Sequence, residues 1–134
     1  MMADWFSHDW MKGFMAAWNA DPDLSNWLSG IGFNSVIGYG FPEDEEPVGV
    51  IVVENGRVVH AGAYAGQALD WDLRATGEDW RKWAAKGIGM MGLGLAYTSG
   101  RLRFKAGDYK AMIRDPRLSG AFIRSVTVMG QVDT

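Results

Sequence analysis

The stretch Val48-Gly49-Val50-Ile51-Val52-Val53-Glu54-Asn55-Gly56-Arg57-Val58-Val59-His60-Ala61-Gly62-Ala63-Tyr64 decides the fold class. Asn55-Gly56 is the strongest hairpin signal in the chain, because a type I′ turn needs positive φ at both central positions. Residues 48–54 are β-branched and nearly continuous, which predicts a well-buried strand, and residues 57–64 return antiparallel to it. On the N-terminal side, residues 34–41 read as a further strand, closed by the acidic loop 42–47. Further upstream, Met11, Phe14, Met15 and Trp18 fall at the i, i+3, i+4, i+7 spacing of one buried helix face, with Ser7 as its cap. Asp21-Pro22 ends that helix. A second short helix is expected over residues 23–29, with Trp27 and Leu28 inward, before Gly30 and Gly32 break the chain.

On the C-terminal side, residues 69–75 alternate. Leu69, Trp71, Leu73 and Ala75 lie on one face and Asp70, Asp72 and Arg74 on the other, which predicts a fourth strand with one wet face. Thr76-Gly77-Glu78-Asp79 opens a helix, with acidic residues in its first turn. That helix turns Trp80, Trp83 and Ala84 inward and leaves Lys82 and Lys86 outside. Residues 88–98 carry no charge and interleave Gly89, Gly92 and Gly94 with Met90, Met91, Leu93 and Leu95. Each glycine weakens a helix by about 1 kcal/mol against alanine, so this segment either packs close to another backbone or lines a space. Residues 87–92 match GxGxxG, but a helix precedes them instead of a strand, and the match is read as coincidence. Residues 101–106 form a fifth strand with Leu102, Phe104 and Ala106 inward. A short helix over 109–113 and a last helix opened by Asp115-Pro116 follow, the latter with Leu118, Phe122, Val126 and Met129 as its apolar stripe. Strands grouped between helices in this order give an α+β fold with helices on one sheet face.

The 134 residues have room for one domain and a real core. No cysteine is present, which removes disulfides and thiolate chemistry and fits a reducing compartment. A formal charge of −3 argues against a nucleic-acid partner. Met1-Met2-Ala3-Asp4-Trp5 shows no leader pattern, and no apolar run reaches the roughly 20 residues of a membrane span, so a cytoplasmic protein without stable membrane insertion is expected. Seven Trp and eight Met supply more adaptable apolar surface than a core of this size requires. Such soft side chains suit a cavity that fits ligands of varying shape.

Catalytic machinery is not advertised. His8 reads as a surface residue and His60 as a structural one on a strand, and neither has a partner at metal-ligand spacing. Glu43, Asp44, Glu45 and Glu46 read as a solvated loop. Asp70 and Asp72, on one strand face, are the best acid/base candidates, but an exposed sheet face is the simpler reading. No metal or cofactor is expected.

Asp70-Trp71-Asp72-Leu73-Arg74-Ala75-Thr76-Gly77-Glu78-Asp79-Trp80 resembles the strand-then-helix signature of the sterol carrier protein type-2 family, in the form of a bacterial-type single-domain member. Gly100-Arg101-Leu102-Arg103-Phe104-Lys105-Ala106-Gly107-Asp108 resembles the family's glycine-basic-leucine strand ending in Gly-Asp. The first half matches in element order. The resemblance implies a five-stranded, mostly antiparallel sheet covered by helices on one face, with an apolar tunnel between the layers. It implies a carrier for sterols, fatty acyl chains, acyl-CoA esters or other lipid-like ligands. The tunnel lining it implies is Trp80, Trp83, Met90, Met91, Leu93, Leu95, Phe104, Phe122, Val126 and Met129.

Two other readings stay open at this point. An enzyme, or an enzyme's accessory subunit, would turn Asp70, Asp72, His60 or Tyr97 into the cavity. An interaction module would expose Trp5, Trp10 and Trp18 on a flat patch. A homodimer or a partner enzyme fits either.

Overall fold

A computed structural model describes residues 4–132; the start at 1–3, read above for a leader, and the last two residues lie outside the described residues. The elements run α1 (His8–Ala20), α2 (Pro22–Ser29), β1 (Ser35–Gly40), β2 (Gly49–Glu54), β3 (Arg57–Ala63), β4 (Trp71–Arg74), α3 (Gly77–Lys86), α4 (Gly89–Thr98), β5 (Arg103–Ala106), α5 (Tyr109–Arg114) and α6 (Pro116–Met129). The strands form one open sheet in the order β3-β2-β1-β4-β5. All neighbours are antiparallel except β1 and β4, which pair parallel with Ile37 opposite Trp71 and Tyr39 opposite Leu73. The fold is the expected α+β arrangement.

The hairpin forms as predicted. Asn55 and Gly56 both have positive φ, 53° and 83°. The turn is also gripped from outside. The Trp18 indole donates to the Gly56 carbonyl at 3.0 Å, the Gly56 amide donates to the Phe33 carbonyl, and the Asn55 amide donates to the Asn34 side chain at 2.8 Å.

Helix ends follow their caps. Asp21 closes α1 and opens α2, its carboxylate accepting from the Leu24 amide, with Pro22 in the first turn. Thr76 accepts from the Asp79 amide at the head of α3, and Asp115 caps α6 ahead of Pro116. α1 lies over β2 and β3, while α6 touches each of the other five helices and is the hub of the helical layer. The core lies between these helices and the sheet face that carries Ile37, Tyr39, Ile51, Val53 and Leu73.

Three expectations need correction. The polar side of β4 is not wet, since Asp72 is 8 % exposed and Arg74 0 %. The loop 41–47 folds back over that face, and Arg74 donates to the carbonyls of Phe41, Asp44 and Glu45 while pairing with Asp72 at 2.6 Å. That loop is therefore a lid on a buried ion pair, although Glu43, Glu45 and Glu46 still face solvent. Leu69 crosses to the same side, where it and Pro47 close on Gly38. Trp27 is 48 % exposed, because Leu24 and Leu28, one turn apart, set the buried face of α2.

Candidate functional site

The sheet face beneath α6 holds an apolar pocket. Ile37 and Tyr39 from β1 and Trp71 and Leu73 from β4 form its floor. Met112 of α5, with Leu118, Ala121, Phe122 and Ser125 of α6, form its roof, and Trp18, Leu28 and Phe33 close one end. The site thus sits on the parallel pair at which the hairpin half of the sheet joins the later strands. Half-buried wall residues (Phe33, Trp71, Leu118 and Phe122) mark the side on which it meets solvent.

Its polar content is small and mostly spent. The Trp18 indole is committed to Gly56, and the Ser125 hydroxyl donates to the Phe122 carbonyl at 2.6 Å. Tyr39 is different. It is 2 % exposed, and its phenol is pushed far above the ordinary tyrosine range by burial alone, with no hydrogen bond contributing. Its ring lies among Phe6, Phe14 and Trp80. The pocket is therefore suited to apolar matter.

The pocket's volume is about 50 Å³. That is space for a few waters, against the roughly 300–1,000 Å³ of an ordinary small-molecule site, so a lipid-sized guest requires the walls to move apart. A separate, shallow groove outside, between Trp27 of α2 and Pro116, Arg117 and Gly120 of α6, is open to solvent.

The residues expected to line a tunnel divide into three groups. Phe122 is in the pocket wall, and Phe104, 6.2 Å from it between ring centroids, extends the wall toward Tyr97 and Tyr109. Trp80, Trp83, Leu93, Val126 and Met129 are buried in the core and are not part of the pocket lining. Met90, Met91 and Leu95 stand outside, 51, 83 and 64 % exposed. Sequence reasoning missed Ile37, Tyr39, Trp71, Leu73 and Met112. A signal existed in the alternation of β4, but its adjacency to β1 is a property of the sheet and not of the chain order.

The groups an enzyme would need do not gather there. His60 and Asp70 are exposed, the Asp70 carboxylate accepting from the Val36 amide at 2.8 Å. Asp72 is paired with Arg74, and Tyr97 is stacked on Tyr109 with centroids 3.7 Å apart. Among the described residues, no group of His and acidic side chains is arranged to hold a metal ion. Trp10 and Trp18 are buried and Trp5 half-buried, packed in aromatic contacts with Phe6 and Phe14, so they form no flat exposed patch. No described helix is long and apolar enough to cross a membrane.

No family model matches the sequence, and no curated protein matches it either. Solved structures do. The fold is that of sterol carrier protein 2, with a TM-score of 0.74 over 96 % of this chain and 99 % of that one at 19 % identity. A conserved hypothetical protein of Thermus thermophilus, described as possibly a sterol carrier protein, gives 0.71 over 98 % and 91 % at 17 % identity. A ubiquinone synthesis protein, UbiJ-SCP2, gives 0.59 over 89 % and 86 % at 13 % identity.

Proposed function

We propose that this chain is a binding and carrier protein for lipid-like molecules, which it takes up between β1/β4 and α5/α6. The observation that carries this reading is the apolar pocket on the parallel strand pair, in the fold of a sterol carrier protein. Burial of apolar area drives such binding at about 25 cal/mol per Å², and a lining this poor in polar groups imposes little selectivity, so a range of ligands is accepted. The site proposed is the pocket wall together with Phe104. Leu93, Val126 and Met129 join it as the cavity widens.

Mass spectrometry of an organic extract of the purified protein, together with displacement of a fluorescent fatty acid, tests this. A co-purifying lipid and saturable uptake are expected. An empty protein that takes up neither fatty acid nor sterol would sink the reading.

A second reading is favoured by the likeness to the ubiquinone synthesis protein. There the same pocket would present an apolar intermediate to a partner enzyme. A carrier exchanges ligand with vesicles unaided, whereas an accessory subunit releases it only to its enzyme.

A further inference from the structure

Phe6 combines a strained backbone with a buried ring. Its φ is 63°, in the left-handed region that glycine and asparagine enter readily and a bulky aromatic rarely. The one other described non-glycine residue with positive φ, Asn55, is explained by its hairpin turn. Phe6 belongs to no helix or strand, since α1 begins at His8 with Ser7 as its cap. It stands third in a turn that the Ser7 amide closes on the Asp4 carbonyl at 3.0 Å, a place where positive φ calls for glycine. What holds it there is the side chain, fully buried among the rings of Trp10, Tyr39, Phe41 and Trp80.

The seat is shaped for this segment. A Cβ at Gly49 of β2 would lie 2.7 Å from the Phe6 carbonyl oxygen and 2.6 Å from the Met11 side chain. Gly49 has no positive φ, so close approach is what requires glycine there. Yet the two buried side-chain donors without an acceptor among the described residues are the indole N–H groups of Trp5 and Trp10, and both rings touch Phe6. A buried donor left unpaired is unfavourable, and so is the left-handed backbone of Phe6. Both kinds of cost meet around one residue. Strain gathered in this way marks ligand clamps and segments that have a second arrangement within reach.

We infer that the seat of Phe6 is a subsite of the ligand cavity for a planar apolar ring, and that Phe6 fills it until a guest displaces it. The inference rests on the ligand-binding reading above and names the part of the guest that is recognised. Tyr39 joins the two places, because its ring meets that of Phe6 at 5.6 Å and the same residue lines the pocket. Phe6 shows what the seat accepts. Its ring lies at 22° to Tyr39 and edge-on to Trp10 and Trp80, at 77° and 85°. A guest ring reproduces these contacts and a flexible chain does not, which gives selectivity by shape where the pocket lining offers little by polarity. Withdrawal of Phe6 breaks no hydrogen bond of a helix or strand and relaxes its own backbone, while the guest restores the apolar burial. It also supplies room that a pocket of about 50 Å³ lacks.

Binding of N-phenyl-1-naphthylamine, an uncharged aromatic probe, compared with binding of palmitate tests the subsite. Phe6→Ala is expected to bind the probe at least about tenfold more tightly than the parent, because no side chain has to be displaced first, with a smaller gain for palmitate. NMR of the parent gives a second measurement should Phe6→Ala fail to fold. Nuclear Overhauser contacts between the Phe6 and Tyr39 rings are expected in the free protein. Saturation with the probe should abolish them and replace them with contacts from the probe to Tyr39 and Trp80. The inference is overturned if Phe6 keeps its contacts with Tyr39 while the probe is bound, if a folded Phe6→Ala binds the probe as the parent does, or if neither binds it. An equal gain for palmitate overturns the preference for a ring. Palmitate uptake by a protein in which the probe leaves Phe6 seated overturns this inference and leaves the carrier reading standing. Displacement of Phe6 by the probe, in a protein that takes up neither fatty acid nor sterol, does the reverse.

Discussion

Gly56 carries two constraints at once. Its φ of 83° favours glycine, and a Cβ there would strike the Ser29 amide nitrogen and the Leu28 carbonyl carbon at the end of α2. Gly56→Ala is expected to cost about 2–4 kcal/mol in urea denaturation, the conformational and the steric penalties together. Asp72 and Asp79 each pair with an arginine, yet they differ in kind. Removing Asp72 leaves the guanidinium of Arg74 buried, so Asp72→Ala should cost about 3–5 kcal/mol. Asp79 meets Arg101 at the surface, where the arginine side chain is 46 % exposed and water screens the pair, so Asp79→Ala should cost far less than Asp72→Ala. Equal losses in the two variants would contradict the lid role of loop 41–47. Asp21 contributes to the acid limb of stability, as do Asp79 and Asp115, whose carboxyls are also held low by arginines. Burial raises the pKa of Asp21, but the Leu24 amide and the Arg124 guanidinium outweigh burial and hold it below the usual carboxylate range. A depressed carboxyl stabilises the fold above its unfolded pKa, and that contribution fades as pH falls through the folded value. Asp21→Asn should therefore lower Tm near neutral pH and flatten its decline in acid, as read by thermal melts across an acid pH series. The Asp21 cap was legible in Asp-Pro, whereas its bond to Arg124, 103 residues away, was not.

At the scale of elements, local rules were reliable wherever a single element set them. The Asn-Gly turn, the Ser7, Thr76 and Asp115 caps and the inward stripe of α6 each depend on neighbours within about a turn. The burial of Asp72 and Arg74 depends on a loop that returns over them, and alternation alone cannot distinguish solvent from a lid. The glycines of α4 show the same limit. They were expected to allow close backbone approach or to line a space, yet a Cβ at Gly89 would meet nothing within 4 Å, and one at Gly94 only the Tyr109 hydroxyl at 4.0 Å. Gly94 has room for alanine in a helical conformation. Gly94→Ala should stabilise the protein by about 0.5–1 kcal/mol, and a fall in Tm would mean that α4 needs its flexibility to hold the fold.

At the scale of the whole molecule, the pocket is small and its roof uneven. α6 is tied to five helices, whereas α5 has six residues, carries Met112 into the pocket wall and packs chiefly on α6. Short elements with few partners open at low free energy, so α5 is the expected gate. Amide exchange should be faster in α5 than in α6, and a bound fatty acid should slow it most in α5. Filling the cavity gives the complementary test. Ala121→Leu places methyl groups in the 50 Å³ space from the rigid side of the roof, and should cut fatty-acid uptake about tenfold or more with Tm unchanged or higher.

By itself the sequence determined most of the secondary elements (helix α4, among the glycines of residues 88–98, was not legible), the hairpin, the caps, the α+β class and the apolar excess that makes a cavity reasonable. Each of these follows from periodicity, turn chemistry or composition, which act over a few residues. The tertiary structure alone decided that β1 lies beside β4, that Tyr39 and Trp71 share a pocket floor, that Arg74 is sealed beneath an acidic loop, and that Met91 faces outward. Those outcomes depend on which distant segments come to lie against one another. No local pattern encodes that, because an apolar residue has the same periodicity whether its face meets the core, a ligand or a surface still waiting for its partner.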